Sequence, residues 1–445
     1  MAAAAAAAAA RVGEAVRLAR QVQPAWGSVP VGDRAKIVSR FGELINEHTE
    51  ECAAAVTRDT GKPITQARNE VKATVKRVTF FAEAAAEALK ARVVKSSSVM
   101  NEVIKREPLG VVANVSAWNY VWFIGTNVWA PGLVAGNAVI YKPSEHALGT
   151  ARLVGDLWRE AGVTEGVFQT LDGDAEVGRA LVDADVDGIF FTGSYATGQQ
   201  IARAAAPRMV KLQLELGGKD AAYVADDVKD PADVAAKLAD GAMYNTGQSC
   251  CSVERIYVHE RVYEPFVEAL VAEVNSFKVG DPWDASTFVG PLCLPSQPAF
   301  LEAQVQDALA KGATRLAGFA PPPTPRHFPP TVLVDVDHSM DVARHESFGP
   351  VVAVMKVADD DEALALVNDS YYGLTAAIYC ADEDRAMRFL AGAKTGSAYW
   401  NCCDRTSPFL PWSGRGASGV GVTMSNLGIQ TFTHARGYHL NRPPS

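Results

Sequence analysis

Cysteine is scarce in this chain, and what there is does not pair. Seven thiols in 445 residues (Cys52, Cys250, Cys251, Cys293, Cys380, Cys402 and Cys403) form an odd set with two adjacent pairs, a poor framework for disulfides and a pattern that suits a reducing compartment. No CxxC or HExxH spacing occurs, so no metal site is predicted. Long apolar runs are missing as well. Without a stretch of about 18 apolar residues no transmembrane helix is expected. Positive charge is not in excess either: the formal net charge of -9 removes the electrostatic footprint that nucleic acid or an anionic membrane surface requires. The first twenty residues hold one acid, Glu14, against three arginines, behind an alanine run from Ala2 to Ala10. Alanine is the strongest helix former, so the run reads as an extension of the first helix. A cleaved organelle-targeting segment is the alternative. A cytoplasmic setting is expected, with an organelle matrix as the second choice.

What is present is apolar material in quantity. With 48% hydrophobic and 21% charged residues, the chain can build two ordinary domains. From Ala35 to Leu89 apolar residues recur at helical spacing (Ile37, Phe41, Leu44, Ile45, then Val71, Val75, Val78, Phe81), which predicts several amphipathic helices. Short β-rich runs then follow at Gly110 to Val115, Ala138 to Tyr141, Gly188 to Phe191 and Ala221 to Val224, with helix-like sequence between them, such as Ala147 to Ala161. Strands alternating with helices predict a parallel α/β sheet. A second cycle starts at Arg255 to Val258 and runs through a helix at Tyr263 to Phe277, a proline-rich surface loop at Pro321 to Pro325 and an alternating region up to Tyr399.

Three segments carry chemistry. In Asn245-Thr246-Gly247-Gln248-Ser249-Cys250-Cys251 a thiol follows a small polar, glycine-containing turn ahead of a β-rich run, a way to present a nucleophile; taken alone, the segment fits a buried inert cysteine better. In Leu214-Glu215-Leu216-Gly217-Gly218-Lys219 a glutamate stands among leucines, and an apolar setting raises a carboxyl toward the range of a general base. Alone, it fits an ordinary glutamate at the end of an element. Ser116-Ala117-Trp118-Asn119-Tyr120 leaves a predicted strand where α/β proteins build their sites, and an Asn amide there can donate to an oxyanion. Routine turn chemistry is the alternative.

Together and in this order the three segments resemble the aldehyde dehydrogenase superfamily. The likeness continues through Val139 to Glu145, Phe191-Thr192-Gly193-Ser194, Glu346-Ser347-Phe348-Gly349-Pro350 and Asn368 to Leu374, so it spans nearly the whole chain. It implies an α/β fold with a Rossmann-type cofactor domain (1–93 and 110–217), an α/β catalytic domain (218–426) and a small β oligomerisation element (94–109 and 427–445). It also implies that Cys250 attacks an aldehyde carbonyl, that the Asn119 amide and the Cys250 N–H hold the oxyanion, and that Glu215 activates the water that hydrolyses the thioester. Relatives that pass the acyl group to coenzyme A generally lack that glutamate, so release as a free acid is expected.

The same resemblance places a nicotinamide cofactor. Gly193-Ser194-Tyr195-Ala196-Thr197-Gly198 fits the family's loose G-x-x-x-x-G between a strand and a helix expected to start near Gln199, with Gly193, Ser194 and Thr197 toward the pyrophosphate. The tighter GxGxxG at Gly414 to Gly419 follows Pro411-Trp412 rather than a strand and is rejected as a fingerprint. Lys142 and Glu145 match the adenosine-ribose positions, with Ser144 a natural helix cap; Glu346 matches the nicotinamide-ribose position, with Phe348 and Trp118 beside it. A carboxylate at the adenosine ribose repels a 2'-phosphate, so NAD is expected over NADP.

By position the substrate pocket should hold Tyr120, Phe123, Ile124, Asn127, Tyr244, Ser249, Asp404, Arg405 and Trp412, aromatic with polar points, for a small-molecule aldehyde. Arg405 is expected as a solvated loop arginine paired with Asp404, the alternative being a partner for a carboxylated semialdehyde. Departures from the family pattern are the lack of proline after Asn119-Tyr120 and Pro411-Trp412-Ser413-Gly414-Arg415-Gly416 in place of the usual P-F-G-G-x-K. A hairpin near Ser98 to Pro108 and a strand near Gln430 to Leu440 are expected to build a homodimer or homotetramer. The competing functions are a catalytically inactive family member kept for binding or structure, and an acylating or reductive dehydrogenase.

Overall fold

The computed structural model describes residues 2–442, with side chains from Ala5 onward. Met1 and Pro443 to Ser445, which close the expected oligomerisation element, lie outside the described residues. The alanine run does extend a helix, Ala2–Ser28, whose Val12, Ala15, Val16 and Ala19 are buried. The 35–89 region folds as three helices, Val31–Glu47, Thr49–Thr60 and Ile64–Ala88.

Two sheets follow from the predicted alternation. The first has six strands in the order 419–420, 211–215, 188–192, 111–115, 138–142, 168–170, parallel except for the short 419–420 strand. Its strands read as apolar runs rather than alternating ones because both faces are covered. Val111, Ala113, Ile140, Ile189 and Leu214 face one core with the N-terminal helix, while Val112, Val139, Tyr141 and Phe190 face the other with the next three helices. The second sheet has seven strands, ordered 314–315, 331–334, 351–357, 253–259, 220–224, 375–379, 397–400, again parallel except for its first edge strand. Alternate residues again separate two cores, Tyr223 and Tyr257 on one side and Val224, Ile256 and Val258 on the other. The chain leaves the first sheet at Glu215 and enters the second at Asp220.

A third, antiparallel sheet joins Arg92–Ser96, Met100–Pro108 and Thr433–Asn441. The hairpin starts at Arg92 rather than near Ser98. The C-terminal strand starts at Thr433, because Ser425–Thr431 is helical and packs on the Ile64–Ala88 helix. The helix expected near Gln199 begins at Tyr195, where the Ser194 Oγ accepts the Thr197 N–H as an N-cap. Among the described residues no helix is long and apolar enough to cross a membrane.

The helical layer is locked to the helix Leu148–Glu160, beside the first sheet, by aromatic packing. Phe41 stacks on Trp158 with ring centroids 3.6 Å apart, both fully buried. Truncation there leaves a cavity that close-packed neighbours fill only in part, so Phe41→Ala should cost about 3 to 5 kcal/mol, read as a lowered midpoint in urea unfolding.

Candidate active site

The turn from the first sheet into the second is the frame of the site. Strand Lys211–Glu215 ends at the glutamate, and the next residues run between two other segments with no room for side chains. A Cβ on Gly217 would lie 2.3 Å from the Glu346 carboxyl, and one on Gly218 would lie 2.3 Å from the Cys250 carbonyl oxygen. Two glycines therefore let one backbone touch both the thiol loop and the Glu346 loop. The Gly218 N–H donates to Glu346 Oε1 at 3.0 Å.

The thiol loop itself is held in a conformation that extended or helical chain would not adopt. Asn245, Thr246 and Gly247 all have left-handed backbone, with φ of 55°, 59° and 68°. Such a run persists only when its surroundings over-determine it. They do: the Asn245 N–H donates to Gln66 Oε1 at 2.9 Å, and its side-chain amide donates to the carbonyls of Asn119 (3.1 Å) and Gln248 (3.0 Å). Gln248 in turn accepts the Cys293 N–H at 2.8 Å. Asn119 is buried and its amide donates to the Gln248 carbonyl at 3.2 Å, which ties it to the loop two residues before Cys250 and commits one of its two N–H groups.

Cys250 is partly exposed and opens into a cavity of about 400 Å³. Glu215 lines the same cavity. Burial pushes its carboxyl above the usual glutamate range, against the pull of hydrogen bonds from Thr423 and Thr192 and the charge of Arg77. The cavity walls include Tyr120, Phe123, Ile124, Asn127, Tyr244, Ser249, Asp404, Arg405 and Trp412. Asp404 is not paired with Arg405, contrary to expectation. Its carboxylate accepts the Cys251 thiol at 3.0 Å, its backbone is left-handed (φ 47°), and burial raises it to about 7. Arg405 points into solvent instead. The Cys251 thiol is held well above its ordinary pKa, first by its hydrogen bond with Cys250, then by burial and the charge of Asp404.

Part of the cavity comes from residues that sequence reasoning passed over. Gln66, Asn69, Glu70 and Arg77 project from the Ile64–Ala88 helix. Glu70 accepts the Trp122 N–H at 2.9 Å and forms a buried ion pair with Lys62, whose Nζ lies 3.7 Å from the centre of the Tyr120 ring. This fixes the start of the helix Val121–Val134 just after Asn119. Apart from the spacing of one amphipathic helix, nothing in the sequence marks these four side chains as facing a cavity.

Across the Gly217-Gly218 segment lies a second group. Lys142 is buried at the end of its strand, with its Nζ 3.5 Å from the half-exposed Glu145. Ser144 caps the short helix after it, accepting the His146 N–H. At the 193–198 turn the Gly193 N–H is not free, since it donates to the Glu215 carbonyl at 3.1 Å, and those of Thr197 and Gly198 bond to Ser194. The donors at this helix start are thus the N–H groups of Ser194, Tyr195 and Ala196, a good anion site. Glu346 is raised to about 8, mainly by burial. Its loop is anchored by Glu254, which takes the Lys219 ammonium at 2.5 Å and the N–H groups of Ser347 and Phe348. The Phe348 ring, on left-handed backbone, meets Trp118 edge to face at 5.6 Å.

Comparison with known proteins adds the following. The model of the aldehyde dehydrogenase family matches residues 1–437. A succinate-semialdehyde dehydrogenase [NADP(+)] of Deinococcus radiodurans is 36% identical over 95% of this chain and 88% of its own length. A betaine aldehyde dehydrogenase of Rhizobium etli is 31% identical over 97% of the chain and 90% of its own length. Among solved structures, an NAD-dependent aldehyde dehydrogenase from Sinorhizobium meliloti superposes with a TM-score of 0.94 at 30% identity, covering 98% of this chain and 88% of that one.

The glycine crossing yields a test. Gly218→Ala sets a methyl group against the Cys250 carbonyl and should cut turnover by at least about tenfold through misplacement of the thiol, with the circular dichroism spectrum unchanged. Wild-type turnover would show that the close approach is not required.

Proposed function

The chain belongs to the aldehyde dehydrogenase family, and we propose that it oxidises an aldehyde to a free carboxylic acid through a covalent intermediate on Cys250. The observation that carries this reading is the meeting of Cys250 and a buried, raised Glu215 in one cavity beside the Asn119 loop.

The Cys250 thiolate adds to the aldehyde carbon. The oxyanion that forms takes the second N–H of the Asn119 amide and the Cys250 N–H, preorganised donors of a kind that contribute about 3 kcal/mol each. A nicotinamide, when bound, accepts the hydride that converts the adduct to a thioester. Glu215 then draws a proton from water; hydroxide adds to the acyl carbon and Cys250 leaves as thiolate. Cys251 is not the nucleophile in this scheme, since its proton is committed to Asp404.

The groups beyond the glycines suit a dinucleotide. Ser194, Tyr195 and Ala196 offer N–H donors for phosphate, flanked by Lys142 and by Gly193 and Thr197, whose own N–H groups are already bonded; Glu145 suits the adenosine ribose, and Glu346, Phe348 and Trp118 the nicotinamide end. Glu145 favours NAD, because its carboxylate accepts from a 2'-hydroxyl and repels a 2'-phosphate. The antiparallel sheet of 92–108 and 433–441 is the proposed dimer element, its two outer strands largely exposed in the single chain and its middle strand half-buried.

Three outcomes are expected. Cys250→Ala abolishes NADH formation with every aldehyde the wild type accepts, while Cys251→Ala retains it. Glu215→Gln accumulates an acyl adduct visible by mass spectrometry, and release that needs coenzyme A would overturn the hydrolytic assignment. Since the base works deprotonated and its pKa is raised, the acid limb of kcat should lie above the ordinary glutamate range and disappear in Glu215→Gln. Separately, Glu145→Gln should raise kcat/KM with NADP relative to NAD; an unchanged ratio would remove Glu145 from cofactor choice.

A further inference from the structure

The cavity holds several charges, and two of the buried ones, Glu215 and Arg77, form no ion pair among the described residues. Lys62 and Glu70 pair with each other. Asp404 accepts the Cys251 thiol, and Asp240 lies in the field of Arg405. Arg77 stands apart. It is 4% exposed, yet it forms no ion pair with any carboxylate among the described residues. Its Nη1 donates to Asn127 Oδ1 at 3.0 Å and to the Phe123 carbonyl at 3.4 Å, and its Nη2 to Thr406 Oγ1 at 2.8 Å. Nε–H and one Nη2–H remain, and the guanidinium rests on the Phe123 ring, 4.3 Å from its centre.

A buried cation without a counter-ion is costly, because desolvation is not repaid by Coulomb attraction. Neutral acceptors orient the guanidinium, and the charges of Glu215 and Glu70 reach it only through space, with no carboxylate bonded to it. Its planar fork matches a carboxylate in two-point fashion. The nearest charges that act on it are Glu215, Glu70 and Cys251, so it sits close to the reacting groups without bonding them.

We propose that Arg77 is the recognition group for an anionic substituent, so that the preferred substrate is an aldehyde carrying a carboxylate at its far end. The inference rests on the oxidative reading above. Asn127, Thr406 and Phe123 hold the fork in place, and Arg405, exposed at the cavity wall, adds a second positive charge. A rival role exists for Arg77, that of tuning Glu215 by its charge, and it predicts a different outcome: all aldehydes would slow together.

The test compares three four-carbon aldehydes, one ending in carboxylate, one in methyl and one in trimethylammonium, on wild type, Arg77→Gln and Arg77→Lys. Wild type should prefer the carboxylate form. In Arg77→Gln, kcat/KM for that form should fall by about 100-fold, chiefly through KM, while the methyl form, measured above the acid limb of kcat, changes by no more than about threefold; loss of the Arg77 charge moves that limb upward for every aldehyde alike. Arg77→Lys, which keeps the charge but not the fork, should fall between and guards against a folding defect in Arg77→Gln. Calorimetry with butanedioate gives a readout without turnover: binding to wild type that weakens in Arg77→Gln supports the site. Equal losses on all three aldehydes, or preference for the ammonium form, would overturn it. If no aldehyde is oxidised by wild type, the dehydrogenase reading fails, and the calorimetry alone decides the anion site.

Discussion

Everything at the centre of this molecule depends on two missing side chains. Gly217 and Gly218 let the backbone between the sheets touch the Glu346 carboxyl on one side and the Cys250 carbonyl on the other. A Cβ at Gly218 would strike the backbone of the thiol loop and force the two apart, and one at Gly217 would displace the Glu346 carboxyl. The first sheet delivers Glu215 at the end of a strand, the second delivers the thiol loop ahead of Val253–His259, and this crossing sets their distance. Loop flexibility cannot substitute for it, because the thiol loop is already fixed by Gln66, Asn119 and Asn245.

Buried ion pairs act here as fixtures rather than as sources of stability. Replacing such a pair with apolar residues is often neutral or stabilising, so their retention points to geometry. Lys62–Glu70 presents one carboxylate oxygen to the Trp122 N–H and thereby sets where the helix after Asn119 begins. Lys219–Glu254 does the same for Ser347 and Phe348. Each pair joins a sheet or helix to a loop that carries site residues, and each lies within a few residues of a motif.

The two parallel sheets were legible because strands covered on both faces appear as short apolar runs between helical stretches. The three chemical segments were legible because they need residues rare in plain packing, such as paired glycines after a glutamate. What escaped had no such mark. The helix Val121–Val134 is buried all round, and an apolar stretch without periodicity does not announce a helix. The strand expected from near Gln430 takes in the last two residues of the helix Ser425–Thr431, which is too short for its own periodicity to show. Arg77 and Glu70 lie on an amphipathic helix whose spacing cannot distinguish a face on a core from a face on a cavity. Arg405 and Asp404 are adjacent in sequence, which suggested pairing; the left-handed backbone at Asp404 sends one side chain inward and the other out.

That divergence also separates the two neighbouring thiols. Adjacent cysteines compete for one role unless something distinguishes them, and sequence offers only position. In the folded chain Cys251 is 5% exposed and its thiol donates a hydrogen bond to the Asp404 carboxylate. Ionising Cys251 would place a second negative charge beside Asp404 and Cys250 in a water-poor site, the arrangement that most strongly disfavours a thiolate. Cys250 has no such acid against it and opens into the cavity. In the proposed mechanism the choice of nucleophile is thus an electrostatic one, made by where Asp404 points, while Arg77, buried in the same cavity as Glu215, keeps Nε–H and one Nη2–H free for a ligand.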